Sequence, residues 1–146
     1  MARMRRRWPL WRTALFFAGL ATLLAALASP IDGYAAVSFA VHMVQHMLLT
    51  VVAAPLLMLG APVRPLLRGV PAWVRGGVVR PLARARTVRA FAHLVRHPLV
   101  AAALYVGGLY AWHLPSLYDA ALVDARVHLI EHAWFFFSAL IFWSVV

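Results

Sequence analysis

Apolar residues do not alternate along this chain. They come in runs, and proline, glycine and arginine break the runs. The runs cover about 13–28, 35–59, 98–114 and 127–146. About 20 apolar residues cross a bilayer as a helix, and the shorter third run does so if its flanking residues snorkel. The stretch 63–97 is different. It holds eight arginines broken by Pro65, Pro71, Gly76-Gly77 and Pro81. Near its end Val88, Phe91, Ala92 and Val95 fall at i, i+3, i+4, i+7, while Arg86, Arg89, His93 and Arg96 line another face. That pattern predicts an amphipathic helix lying along the membrane surface. The fold expected is an all-α integral membrane bundle of about four transmembrane helices with an amphipathic surface segment, one membrane domain over 1–146.

Local signals refine the runs. Arg3, Arg5, Arg6, Arg7 and Arg12 precede the first run, and Ala26-Leu27-Ala28 ends it, as in a cleavable signal peptide. Its length, with Trp8 and Trp11 as interface anchors, favours an uncleaved first helix; cleavage would leave an amino terminus at Ser29 and three spans. Ser29-Pro30-Ile31-Asp32-Gly33 reads as a turn. Pro55 inside the second run removes the backbone bond to Val51 and predicts a bend, and Gly60-Ala61-Pro62 stops the helix. Gly107-Gly108 permits close helix approach. Pro115, Ser116, Asp119, Asp124 and Arg126 mark a connection.

Composition sharpens the class. The 146 residues are 64% hydrophobic and only 12% charged, against about 25% charged in soluble domains. The formal net charge is +10, from fourteen arginines and four acids. The arginines flank apolar runs, which fits topology signals and anionic lipid headgroups rather than nucleic acid. Thirteen of the fourteen lie before the first run or in 63–97. By the positive-inside rule those segments and both termini are cytoplasmic. With no cysteine there is no disulfide framework and no thiolate metal site.

This topology gathers five of the seven histidines on the outer side: His42 and His46 in the second run, His113 ending the third, and His128 and His132 opening the fourth. His42/His46 and His128/His132 are i, i+4 pairs, so each pair shares a helix face and both rings can reach one ion. Gln45 accompanies the first pair. Glu131 accompanies the second, able to orient a ligand imidazole, bind metal or relay protons. Polar groups at such depth are costly without partners and mark function. Imidazole suits zinc, copper and iron; Met43 and Met47, also four apart, favour reduced copper, though each taken singly is an ordinary packing residue. Haem held by axial histidines from facing helices is the rival. His128-x-x-Glu131-His132 also matches the inverted zinc-protease motif, but no third ligand segment accompanies it. His93 and His97 repeat the spacing on the arginine-lined surface and read as interfacial. No nucleophile or complete acid–base set is present, so the chain reads as a non-enzyme.

The blocks HMVQHMLLTVVAAPLLMLGAPVRPLLR, RHP, YAWHLPSLYDAAL and VHLIEHAWFFFSALIFW, in that order, resemble the multi-span CtaG-type family of bacterial cytochrome c oxidase assembly factors. The resemblance covers about 34–146. It implies a multi-pass protein of the bacterial plasma membrane with a cytoplasmic amino terminus. Haem-copper oxidase subunits would be its partners and copper its transient cargo; a haem-binding electron-transfer subunit is the alternative. The family's histidine positions fall on His42, His46, His113, His128 and His132, with Glu131 beside them. Family members generally continue with further spans, so a fragment, a short variant and half of a larger bundle are all open. Since the second and fourth spans run parallel, His42, His46, His128 and His132 are the expected ligand set. Glu131 then supports them, His113 stands at the entrance, and Gln45, Met43 and Met47 lie alongside.

Overall fold

The computed structural model describes residues 8–35, 37–61 and 63–146. Arg3, Arg5, Arg6, Arg7 and Pro62 lie outside these. Among the described residues all regular structure is helical. In chain order the helices are α1 (Leu10–Ala28), α2 (Pro30–Ala35), α3 (Phe39–Gly60), α4 (Val63–Gly69), α5 (72–84), α6 (Arg86–Val95), α7 (Pro98–Trp112), α8 (Pro115–Val123) and α9 (Ala125–Trp143). The chain is an all-α membrane protein. Helices α1 and α3 are each long and apolar enough to cross a bilayer, and α6 with α7 makes a third crossing if that pair, bent by 67°, is one span. Helix α9 is as long as α1, at 19 residues. Arg126, His128, Glu131 and His132 dilute its apolar character.

The segment expected to turn at 29–33 is helical from Pro30 onward. Proline suits the first position of a helix, where its missing N–H costs nothing, and the Ser29 hydroxyl accepts from the Ile31 N–H at 3.2 Å. The connection expected after Leu114 likewise contains a helix, α8, with Pro115 at its start.

Pro55 acts otherwise than by bending an α-helix. Helix α3 passes through a π-helical stretch, Leu48–Ala53, and the Ala54 N–H donates to the Leu49 carbonyl five residues back. In this register the carbonyl that Pro55 leaves without a donor is that of Thr50. It is served from outside: the Trp143 indole N–H of α9 donates to it at 2.8 Å. The Thr50 hydroxyl donates in turn to the His46 carbonyl at 2.8 Å.

Small residues set the helix spacings. A Cβ on Gly60 would lie 2.8 Å from Cβ of Phe16, and one on Gly19 would lie 2.9 Å from the Leu57 side chain, so α1 and α3 pack antiparallel in near backbone contact. Because Gly60 is committed to that contact, the left-handed residue closing α3 is Ala61 (φ 44°), at a cost of about 1–2 kcal/mol. Gly108 of α7 lies directly under the Trp134 ring of α9, whereas Gly107 faces open space. Helices α7 and α9 are antiparallel, with Tyr105 stacked on Phe142 at 5.1 Å. The apolar core is mostly alanine, with Leu49, Leu57 and Phe135 as its large members. Its remaining volume is polar: His42, Gln45, His46, Thr50, Glu131, His132 and Ser138 are all buried.

Candidate metal centre

Helices α3 and α9 run parallel and pack along Leu48–Gly60 of α3, and toward their other ends the two histidine pairs face each other. On α3 the His42 and His46 rings are 4.2 Å apart; on α9 those of His128 and His132 are 4.1 Å apart. Across the interface His42 stacks on His128 at 5.4 Å, and His46 meets His132 edge-on at 5.3 Å. The start of α9 is fixed by Asp124, whose carboxylate accepts from the Arg126 N–H at 2.7 Å.

Glu131 lies between the α3 histidines. One carboxylate oxygen is 3.9 Å from His42 Nε2 and the other 3.8 Å from His46 Nε2. One ligand atom from each of the three residues falls within 4.8 Å of the others. These gaps are too long for hydrogen bonds. His42 Nε2, both ring nitrogens of His46 and both Glu131 oxygens have no hydrogen-bond partner, and Glu131 is 0% exposed. A buried carboxylate without donors costs several kcal/mol unless a cation or proton compensates it. A metal ion would do so for all three residues together. Tetrahedral donors about 2.1 Å from an ion sit about 3.4 Å apart, so the three residues would have to draw together to share one.

Aromatic rings close the site. Phe135, one helical turn beyond Glu131, packs on the His46 ring at 4.5 Å and is itself buried. Tyr118, carried in by α8, meets His42 at 5.8 Å and Phe39 at 5.9 Å. Neither stood out in the sequence. Phe135 carried a usable signal, being four residues from Glu131 on the same face. Tyr118 stood in the YAWHLPSLYDAAL block, but the helix that delivers it to the histidines was expected to be a connection.

The remaining expected residues divide. His113 closes α7, its ring 6.4 Å from that of His46, its Nδ1 2.6 Å from the Leu109 carbonyl and its Nε2 3.4 Å from Met43 Sδ. Gln45 is buried but turns toward α1, donating from Nε2 to the Ala26 carbonyl at 2.8 Å. That carbonyl belongs to the last turn of α1, which has no intrahelical donor for it. Met47 lies away from the group on the outer face of α3, 59% exposed. His93 on α6 and His97 beyond it are exposed.

A family profile described as cytochrome c oxidase caa3 assembly factor (Caa3_CtaG) matches residues 1–146. A curated Mycobacterium bovis protein, named as uncharacterised, is 29% identical over 154 residues, taking in 96% of this chain and 23% of that protein. A Mycobacterium tuberculosis protein gives the same values, and one from Mycobacterium leprae is 29% identical over 147 residues, 95% of this chain and 22% of its own length. This chain thus spans less than a quarter of the length of the curated relatives it matches. No solved structure matches it.

Proposed function

This chain belongs to the cytochrome c oxidase caa3 assembly factor family, and from that premise we propose that it serves oxidase assembly by holding a copper ion between α3 and α9 for delivery to an oxidase subunit. The observation that carries the reading is the buried convergence of His42, His46 and Glu131, whose facing nitrogens and oxygens have no hydrogen-bond partner. His128, stacked on His42, and His132, edge-on to His46, complete a donor set for an ion in either copper oxidation state. Glu131 is more than a support here, since its two oxygens face two imidazoles of α3, His42 and His46, rather than one ring. The site binds and releases cargo; no catalytic step is part of the reading. Haem fits less well, because Glu131 and the His42–His128 stack fill the space a macrocycle would need.

Copper content of the full chain, purified from copper-supplemented cells, tests the proposal. His46→Ala and Glu131→Gln are expected to lose at least tenfold in copper retained, as loss of even outer partners of a metal typically costs 10–100-fold in affinity. His93→Ala is expected to match the parent. Equal copper in the parent, His46→Ala and Glu131→Gln proteins would refute the site, and a Soret band in the parent would replace copper by haem.

A further inference from the structure

We propose that Met43 and His113 form a second metal site, separate from the carboxylate-bearing group, that takes the soft monovalent ion copper(I). The argument begins with the hydrogen atoms. His113 Nδ1 lies 2.6 Å from the Leu109 carbonyl oxygen. A carbonyl only accepts, so Nδ1 carries the proton. A neutral imidazole has one N–H, which leaves Nε2 with a bare lone pair. That lone pair points at Met43 Sδ, 3.4 Å away. A thioether has no proton to give. In the neutral ring two electron-pair donors therefore face each other with no hydrogen between them: His113 at the end of α7, and Met43 on α3 beside His42.

Such a pair attracts a cation, and the donors select which. Thioether sulfur is soft and binds copper(I) well and hard divalent ions poorly; imidazole accepts either. The inner group contains a carboxylate, and its harder character suits zinc or copper(II) as well. The two sites thus differ in ligand chemistry although they are neighbours. His113 and His46 have ring centroids 6.4 Å apart, and both rings pack against Phe135, at 6.3 and 4.5 Å. Met43 and His113 are half-buried whereas His42, His46 and Glu131 are buried. The pair therefore stands between the rim of the bundle and the inner group. An ion passes inward by ligand exchange, from sulfur and one imidazole to imidazoles and carboxylate, with no change of oxidation state. The proposal takes its ion from the copper reading above, but its site stands on the His113–Met43 geometry alone.

The test is anaerobic copper(I) titration of the full chain against a competing chelator, with X-ray absorption on the loaded protein and a parallel zinc titration. The parent is expected to show copper–sulfur scattering. Met43→Leu, a swap that conserves volume, is expected to abolish it and to lower copper(I) uptake while leaving zinc uptake unchanged. Met47→Leu is expected to keep the sulfur signal. His42→Ala with Glu131→Gln is expected to lose zinc uptake and keep the sulfur signal. Absence of copper–sulfur scattering from the parent, or its persistence in Met43→Leu, overturns the site at Met43 and His113. Undiminished zinc and copper uptake in His42→Ala with Glu131→Gln would sink the inner group instead, so the two failures are told apart.

Discussion

Glu131 is placed where a carboxylate is least welcome unless an ion is expected. It is fully buried and has no hydrogen-bond donor, so the metal-free protein bears the cost of burying it. Glu131→Gln is therefore expected to make the metal-free protein more stable, by about 1–3 kcal/mol, while removing the stabilisation that added metal gives the parent. Thermal unfolding in detergent, with and without metal, measures both; a metal-free Glu131→Gln protein less stable than the parent would count against an uncompensated carboxylate. The histidine pairs were legible from spacing alone, because i, i+4 fixes a shared face whatever the helix packs on. The position of Glu131 between His42 and His46 was not legible. It depends on the rotation of α9 against α3, which the contacts between the two helices fix. Gln45 shows the same limit, since its spacing was right while the face it occupies turns to α1.

Among the helices, the glycines separate contact from propensity. Gly107 and Gly108 are neighbours on α7 and look alike in sequence, yet only Gly108 lies under Trp134. Gly108→Ala must displace the indole and is expected to destabilise by about 1–3 kcal/mol. Gly107→Ala meets nothing within 4 Å and is expected to stabilise by up to about 1 kcal/mol through helix propensity. Unfolding of the two variants side by side checks the sign of each; equal effects would mean that α7 and α9 are not in this contact. Apolar runs announced the long helices because period and length survive any packing. The helix at Pro115–Val123 and the π-helical stretch were not announced. Each depends on neighbours, through Tyr118 on the histidines and Trp143 on Thr50.

For the molecule as a whole, charge and the polar site work together. Helix α9 falls short as an apolar span because Arg126 at its start adds to His128, Glu131 and His132, the residues it contributes to the candidate metal centre. Inside a bundle those groups face partners instead of lipid, and on that ground we propose α9 as a further span. With thirteen of fourteen arginines before Thr13 or in 63–97, that reading puts both termini inside and the histidines toward the outer face. A reporter active only in the cytoplasm is expected to work when fused after Arg80 and to fail when fused after Leu122. The opposite pattern would invert the bundle.

The π-helical stretch of α3 has a consequence of phase. One residue added to an α-helix turns everything beyond it by about 100°, which would carry one end of α3 off its neighbours. A π turn absorbs the added residue without that rotation. The face holding His42 and His46, turned to the α9 histidines, and the face holding Leu57 and Gly60, turned to α1, are thus indexed separately. Counting residues from His46 to Gly60 consequently gives no angle between the two contacts. A relative one residue shorter between them would present the same two faces.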